Sequence, residues 1–367
     1  MRKPDRVLTL VLIAGVQLLL LTSAIAATIP PGFSGIAVTA YGAKCDGQTN
    51  DIAAFNNAIK AAGSNCRESG FLARGQNYIS LPGGTTCRIN SGITIDTACV
   101  GLEGNGSTID ASGITSGAAI TLSSSEKANP YSANTSRFSH FLLTGPGASS
   151  SIVGLQINAG GIYAGPINIA NFGVGVQLGS YAFNDRIVGA DVWNTGTGFN
   201  CPSGLTDAGE LLVIDGGRIF NSSKGITNSG CEFSVTNTAI DGMSQFAIQN
   251  SGGTFYLHDL HIEFFNPIAG SPIEQEGGCN AWAMIEMDGG RVQMDNWSPG
   301  SMQSLVDNTP GAGCGYGSGP WIRLSNVFFS GVQPSSGSLV TGTGASQVQL
   351  NCLTNGAGGG TMCNSQF

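Results

Sequence analysis

The chain has 367 residues and a formal net charge of −8, and only 10% of its residues are charged, against about 25% in ordinary globular proteins. An acidic chain with three histidines and no basic stripe argues against nucleic acid or an anionic membrane surface as a partner. Glycine contributes 56 residues and is interleaved with Asn, Ser, Thr, Val, Ile and Leu. Many short strands joined by frequent turns explain this composition.

The N-terminus has the pattern of a secretory signal peptide over residues 1–26. A basic start at residues 1–6 precedes an apolar run at 7–21 and a small-residue cleavage site at 24–26. An uncleaved membrane anchor is the alternative, but the run is shorter than the ~20 residues that span a bilayer. We therefore expect a secreted or periplasmic protein, free of the membrane after cleavage, in which residues 27–367 form one domain.

Residues 49–63 have the pattern of an amphipathic helix. Thr49 or Asn50 can cap its N-terminus. Its apolar stripe consists of Ile52, Phe55 and Ile59. A stacked solenoid exposes unpaired strand edges at its ends, and these must be covered. We expect this helix to close the N-terminal end, within a cap over residues 36–70.

Short strand-like segments follow, separated by Gly or Asn turns, with many spacings of roughly 20–35 residues. They include residues 88–90, 92–95, 152–157, 167–169, 187–188, 292–294, 322–324 and 348–350. Two segments, 121–151 and 265–290, break this rhythm and are predicted to be excursions that wall a binding groove. Asparagines at the recurring corners are predicted to be structural, because Asn tolerates the left-handed conformation.

The centre of the chain contains a repeat. Residues 233–241 (FSVTNTAID) recur 22 residues later as 255–263 (FYLHDLHIE), and a looser copy, 212–220, stands 21 residues before. Such a period indicates stacked coils. Superimposing the copies puts Ile219, Ile240 and Ile262 in one column. Because side chains alternate along a strand, the opposite face carries Arg218, Asp241, His261 and Glu263.

All ten cysteines lie beyond the predicted signal peptide. They are Cys45, Cys66, Cys87, Cys99, Cys201, Cys231, Cys279, Cys314, Cys352 and Cys363. An even number in an exported chain favours disulfides, and no Cys-x-x-Cys or Cys/His pattern indicates a metal site. Neighbours in the sequence of a solenoid are neighbours in space, so we expect sequential pairing. Cys45–Cys66 and Cys352–Cys363 would then staple the two ends.

Several motifs resemble the type 3 pectate lyase superfamily, which includes bacterial polysaccharide-degrading enzymes and phage tailspikes. The opening motif is residues 41–51 (YGAKCDGQTND), and 79–89 and 100–109 resemble the first coils. Residues 239–242 (AIDG) and 261–263 (HIE) are similar to paired motifs of its tailspike-like members. The resemblance implies an all-β fold, a single-stranded right-handed parallel β-helix with an N-terminal capping helix. It leaves open a monomer or a homotrimer, and it is unspecific for the reaction because the fold hosts lyases, hydrolases, epimerases and inert scaffolds.

Asp241 and Glu263 are the candidate catalytic residues. Equivalent positions on coils about 4.8 Å apart put two carboxylates side by side. Breaking a glycosidic bond needs a carboxylic acid and a second carboxylate, about 5 Å apart for retention or roughly 6.5–9.5 Å apart for inversion. His261, on the same face, could bind a sugar hydroxyl, tune a carboxylate or act as acid or base. Asp259 is a reserve acid if its strand is unbroken.

Four residues are candidates for substrate binding: Trp193, Phe220, Arg218 and Glu210. The two aromatic residues share the offset of the acids on earlier coils, where rings could stack on sugars. Arg218 could bind the carboxylate of an acidic sugar bidentately. A salt bridge from Arg218 to Asp241 or Asp215 is the commoner outcome for such a residue.

These features favour a secreted glycoside hydrolase that acts on a polysaccharide or oligosaccharide without a cofactor. A polysaccharide lyase is the first alternative, but a calcium-dependent lyase would need a tight Asp cluster, which the sequence lacks. Ca²⁺ is therefore expected only if the protein is a lyase. A non-catalytic glycan-binding surface β-helix is the second alternative, since the fold does not determine the reaction.

Overall fold

The computed structural model describes residues 34–64, 77–98, 100–124, 137–276, 283–295, 302–309, 321–331, 338–355, 360–362 and 365–366. The predicted signal peptide lies outside these residues, and so do five of the cysteines: Cys66, Cys99, Cys279, Cys314 and Cys363. Within the described part of the chain, no helix has the length and apolar character needed to cross a bilayer.

The chain from Ser34 onwards winds into stacked coils whose strands form three faces, with the strands numbered in chain order. Face one contains β1 (Ser34–Ala37), β3 (Asn77–Ser80), β6 (Val100–Asp110), β8 (Arg137–Thr144), β10 (Tyr163–Ala164), β13 (Arg186–Trp193), β15 (Leu212–Phe220), β17 (Glu232–Thr236), β20 (Thr254–His258), β23 (Met284–Asp288), β26 (Trp321–Ser325), β29 (Val348–Asn351) and β32 (Ser365–Gln366). The long strands β6, β8, β13 and β15 bend and continue into face two.

Face two adds to those second halves the strands β2 (Asp46–Asn50), β4 (Thr86–Arg88), β11 (Ile167–Ala170), β18 (Ala239–Asp241), β21 (His261–Phe264), β24 (Arg291–Met294), β27 (Phe328–Ser330), β30 (Leu353–Asn355) and β31 (Gly360–Met362). Face three contains β5 (Ile93–Asp96), β7 (Ala118–Ser123), β9 (Val153–Asn158), β12 (Val174–Leu178), β14 (Thr197–Cys201), β16 (Lys224–Asn228), β19 (Phe246–Asn250), β22 (Ile273–Glu276), β25 (Val306–Thr309) and β28 (Val340–Thr341). Consecutive coils pair in parallel, and the antiparallel pairings described are those of β31 and β32 at the C-terminal end. The architecture is a parallel β-helix.

Helix α1 (Ile52–Ser64) packs against β1, β3, β5 and β6 and covers the N-terminal end of the stack, as predicted. The remaining helical segments described are the 3-10 turns Val38–Tyr41 and Ala345–Gln347. The predicted stripe is only partly correct: Phe55 is buried, whereas Ile52 and Ile59 are half-buried. The most buried face is completed by alanines, Ala54, Ala58 and Ala62, which let the helix approach the sheet closely.

Apolar columns inside the coils hold the stack together. Ile219, Ile240 and Ile262 occupy one column in the predicted register, and Val292 continues it. All four are at most 1% exposed. Burying a side chain of this size contributes about 1.5–3 kcal/mol relative to leaving it in water. Each coil therefore gains stability mainly from the coils directly above and below it.

Residues in the left-handed conformation turn the chain between face one and face two. Asn237 and Asn326, with φ of 51° and 57°, have the predicted structural role at this corner. Asp259 has the equivalent position, with φ of 51°, directly before β21. The strand is therefore broken at Asp259, which is exposed at this corner, so the condition under which it would be a reserve acid is not met.

The two predicted excursions are shorter than expected. Strands β7 and β8 reach into residues 121–151, and β22 and β23 lie within residues 265–290. Both segments therefore contribute ordinary coils, with residues 125–136 and 277–282 outside the described part. These strands alternate buried and less buried residues like the other coils, although Ser, Gly and Thr are frequent in residues 121–151.

Disulfides join neighbouring coils. Cys45 pairs with Cys87, so the predicted Cys45–Cys66 bridge is wrong. The reason is that β2 pairs with β4, which places Asp46 opposite Thr86, whereas helix α1 carries the following residues away.

The other described bridge, Cys201–Cys231, joins consecutive cysteines and agrees with sequential pairing. Cys352 is also disulfide-bonded, and its predicted partner Cys363 lies outside the described residues.

Asp185 should make stability depend on pH. It is 1% exposed, its Oδ1 accepts the Ile162 N–H at 2.8 Å, and its buried Oδ2 has no hydrogen-bond partner among the described residues. Burial raises the pKa of this carboxyl well above its ordinary value. The folded state therefore holds a proton that the unfolded chain releases near 3.8, and stability should fall as pH rises towards the folded pKa.

We expect the denaturation midpoint in urea to fall with rising pH in the wild type and to fall less in Asp185→Asn. The half-exposed Asp288→Asn serves as the control and should keep the wild-type slope. Equal slopes for Asp185→Asn and the wild type would contradict a buried, protonated Asp185.

Candidate functional site

Two outward columns run along face two. The carboxylate column consists of Trp193, Phe220, Asp241, Glu263 and Gln293. The arginine column, two residues earlier on each coil, consists of Asp191, Arg218, Ala239, His261 and Arg291. Both columns follow from the predicted register, because inward isoleucines alternate with these outward positions.

Asp241 and Glu263 face outward side by side, and we name them the acid pair. Their carboxylate oxygens and the His261 ring nitrogen lie within 4.8 Å of one another. His261 Nε2 is 3.5 Å from Glu263 Oε2 and 3.9 Å from Asp241 Oδ1. The side chains of Asp241 and Glu263 are 19% and 20% exposed, so both acids are partly withdrawn from water yet reachable.

The two acids have different surroundings. Asp241 Oδ1 is buried and has no hydrogen-bond partner among the described residues. The pKa of Asp241 is raised to about 6, mainly by burial; the charges of His261 and Arg218 lower it and the charge of Glu263 raises it, and the value of about 6 includes all of these effects. Glu263 instead accepts a hydrogen bond from Gln293 Nε2 at 3.1 Å. The arrangement keeps one carboxyl close to protonation at mildly acidic pH and holds the other in a fixed orientation.

The same three side chains are also a possible set of metal ligands. Two carboxylates and one imidazole are donors that suit divalent transition metals. The spacing of the cysteines and histidines predicted no metal site, because the three ligands here are brought together by the register of neighbouring coils. A second close group, Cys45, Asp51 and Cys87, cannot offer thiolates because its cysteines are bonded to each other.

Arg218 is paired with Asp191, and the prediction of a salt bridge to Asp241 or Asp215 is wrong. Its Nε lies 3.3 Å from Asp191 Oδ1 and its terminal nitrogen 2.9 Å from Oδ2. Asp215 pairs instead with Arg186, at 2.8 Å. Arg218 and Asp191 lie directly opposite each other on adjacent coils, so the register of the sheet brings their side chains together.

Trp193 and Phe220 lie on the two coils before Asp241, as predicted. Their ring centroids are 5.5 Å apart with an interplanar angle of 13°. The Arg218 guanidinium lies 4.8 Å from the centre of the Phe220 ring. Because each ring covers one face of the other, only the remaining ring surface of this half-buried pair can reach a ligand.

Glu210 is not brought to the acid pair. It is exposed and precedes β15, whereas Phe220, which aligns with Asp241, ends that strand. His140 is also remote: it occupies a corner with φ of 56° and its Nδ1 lies 3.1 Å from Glu103 Oε1.

A groove of about 680 Å³ lies at the corner between face two and face three, and the sequence analysis missed it. We name it the corner groove; its lining consists of Ala148, Ser149, Gly173, Thr195, Gly196, Thr197, Asn221, Ser222, Ser223, Lys224, Gly242 and Ser244. Its lining reaches Gly242, the residue directly after Asp241, but does not include the acid pair itself. Small residues recurring just after the outward column of successive coils were the signal for it.

Comparison of the sequence with protein-family profiles and with curated proteins found no match. Solved structures do match. ORF18 of Geobacillus virus E2 has a TM-score of 0.62 at 14% identity, over 88% of this chain and 61% of that one. The enzymatically active domain of bacteriophage CBA120 tailspike protein 4 has a TM-score of 0.64 at 12% identity, over 89% of this chain and 45% of that one.

The fold is a right-handed parallel β-helix. This confirms the predicted fold class. The chain spans about three-fifths and just under half of the two matched structures. At such identities the likeness concerns the fold alone, so the reaction must be argued from the site.

The electrostatics of the acid pair can be measured by following carboxyl carbon shifts with pH in ¹³C-labelled protein. We expect Asp241 to titrate at about 6. Glu263→Gln should lower the pKa of Asp241, because it removes a nearby negative charge, and His261→Ala should raise it, because it removes a favourable partner. Glu276→Gln on face three should leave it unchanged. A wild-type pKa near the ordinary value of 3.8 would contradict this account of Asp241.

Proposed function

We propose that the protein is a secreted glycoside hydrolase that cuts a polysaccharide at the acid pair. The observation that carries the proposal is the contrast between the two adjacent carboxyls, since the pKa of Asp241 is raised to about 6 and Glu263 is oriented by Gln293. A glycosidase needs one carboxyl that can give up a proton and one that acts as a carboxylate. Asp241 is the general acid and Glu263 the second carboxylate.

The close approach of the acids favours retention of anomeric configuration. Their nearest oxygens are within 4.8 Å, whereas inverting enzymes keep the carboxyls roughly 6.5–9.5 Å apart to admit a water. Asp241 protonates the glycosidic oxygen as the bond to the leaving sugar breaks, and Glu263 forms a covalent bond to the anomeric carbon. Asp241 then takes a proton from water, which displaces Glu263 and restores both groups.

His261 is a positioning residue in this scheme. Its Nε2 lies between the two carboxylates, 3.5 Å from Glu263 and 3.9 Å from Asp241. An N–H on that nitrogen attracts both acids and limits their mutual repulsion. Its exposed ring, 42% accessible, can also donate to a sugar hydroxyl above the pair.

The surroundings of the acid pair fit an extended glycan. The corner groove has room for a glycan chain close to Asp241. The ring edges of Phe220, one coil before Asp241, and of Trp193, two coils before it, offer apolar surface to the sugars. A tailspike fragment with this fold is described as an enzymatically active domain. The two disulfides described in full suit an oxidising compartment, in line with the predicted signal peptide.

A lyase receives less support. Elimination requires a cation that neutralises the uronate carboxylate at the reacting sugar, and Arg218, one coil from Asp241, is already paired with Asp191. A lyase product carries a new double bond that absorbs in the ultraviolet, whereas a hydrolase product carries a new reducing end without it. A non-catalytic glycan binder gives neither signal.

We expect Asp241→Asn and Glu263→Gln each to lower turnover by about 10²–10⁴-fold, because each removes proton transfer or the attacking carboxylate while keeping shape. The assay digests a panel of polysaccharides and records both reducing ends and ultraviolet absorbance. Glu276→Gln, a carboxylate on face three, is the matched control and should stay active. Full activity in both acid-pair variants would overturn the site, and ultraviolet-absorbing products would overturn the hydrolase.

The stereochemical outcome is a separate prediction. With the substrate found by the panel, proton NMR in the first minutes of reaction should show the new reducing end in the anomeric configuration of the cleaved bond. Retention follows from the short separation of the carboxylates. The opposite anomer as first product would contradict the covalent step on Glu263.

A further inference from the structure

We propose that the corner groove is a specificity subsite for an anionic group on the glycan, and that Lys224 binds that group. The proposal rests on the proposed function, because it concerns the same substrate, but it assigns a residue and a chemistry that catalysis at the acid pair does not require. It also moves recognition of negative charge from Arg218, where the sequence analysis placed it, to a different corner of the coil.

Lys224 is the one charged residue in the groove lining. It begins β16 and lies between Thr197 and Phe246 on the adjacent coils. Its ammonium is 5.4 Å from the centre of the buried Phe246 ring, and this contact holds the half-buried lysine side chain. Among the described residues, no carboxylate forms an ion pair with it.

The nearby arginines show what pairing looks like in this protein. Arg186 and Arg218 each reach a carboxylate on an adjacent coil, at 2.8 and 2.9 Å. With 23 acidic and 15 basic residues in the chain, acids are available to neutralise most cations. Arg291 also has no described ion pair, so what distinguishes Lys224 is its place: it is half-buried and lies in the groove lining, where an external anion can reach it.

The rest of the lining agrees with a sugar chain that carries such an anion. It contains Ser, Thr, Asn, Gly and Ala and no Asp or Glu, so the nearest surfaces do not repel a negative charge. Hydroxyl and backbone groups match the hydroxyls of a sugar. A charge-assisted hydrogen bond from an ammonium is roughly twice as strong as a neutral one, which lets a single lysine decide selectivity.

Lys224 should contact a sugar next to the cleaved one. It follows Phe220 by four residues, and four residues reach at most about 14 Å. Lys224 lies in the groove lining and the acid pair lies beside that lining, so the two can contact neighbouring sugars of one chain. Loss of the lysine should weaken binding and raise KM more than it lowers kcat, because the contact is the same in ground state and transition state.

Binding can be tested by affinity electrophoresis of the intact protein in gels that contain carboxylated glycans (polygalacturonate, alginate, hyaluronate), a sulfated one (chondroitin sulfate), a phosphate-bearing one (teichoic acid) or neutral dextran. We expect retardation by at least one anionic polymer and none by dextran. Lys224→Met, which keeps the apolar stem on Phe246, should lose about 10-fold or more in affinity, and Lys224→Arg should retain part of it. The exposed Lys60→Met is the matched control and should bind as the wild type does.

Three results would overturn the proposal: no retardation by any anionic polymer, equal retardation by dextran, or wild-type binding by Lys224→Met. The carboxylated, sulfated and phosphate-bearing polymers distinguish the source of the charge. Asp241→Asn should still bind the anionic polymer. The activity assay therefore tests the acid pair, and the affinity measurement tests Lys224 independently of it. If the acid-pair variants prove fully active while Lys224→Met no longer binds, the hydrolase site fails and the subsite stands.

Discussion

Parallel hydrogen bonding between coils, in one unbroken register across β15, β18, β21 and β24, is the constraint on which the rest of the structure depends. It places the same position of each repeat at the same point of the cross-section, about 4.8 Å further along. Once the isoleucine column is buried, the residues beside it have to face outward. The acid pair is therefore a consequence of core packing as much as of chemistry.

The shared register of the coils destabilises the protein locally at the acid pair. Like charges directly opposite each other destabilise a sheet, and Asp241 is also withdrawn from water. Its pKa of about 6, against an ordinary 3.8, corresponds to on the order of 2–3 kcal/mol acting against the ionised native state at neutral pH. That contribution is absent at low pH and appears as pH rises through about 6. The apolar columns of neighbouring coils offset it, and His261 limits it locally.

Prediction from the sequence succeeded where the repeat carried the information. The positions of Ile219, Ile240 and Ile262, the alignment of Asp241 with Glu263 and the structural corner asparagines follow from a period of about 22 residues and from strand alternation, which are local properties. Even the broken strand at Asp259 could have been foreseen, because Asn237 occupies the same place one coil earlier.

What depends on lateral contacts between coils could not be predicted in this way. Arg218 forms its salt bridge with Asp191, and Cys45 forms its disulfide with Cys87. The corner groove around Lys224 is lined by small residues that lie far apart in the chain. The sequence by itself therefore determined which residues line up and face solvent, because the repeat period and the alternation of side chains along each strand are local patterns in the sequence. Only the tertiary structure decided which of them touch, how far Asp241 is desolvated and that no described carboxylate forms an ion pair with Lys224, since side-chain reach across neighbouring coils sets all three.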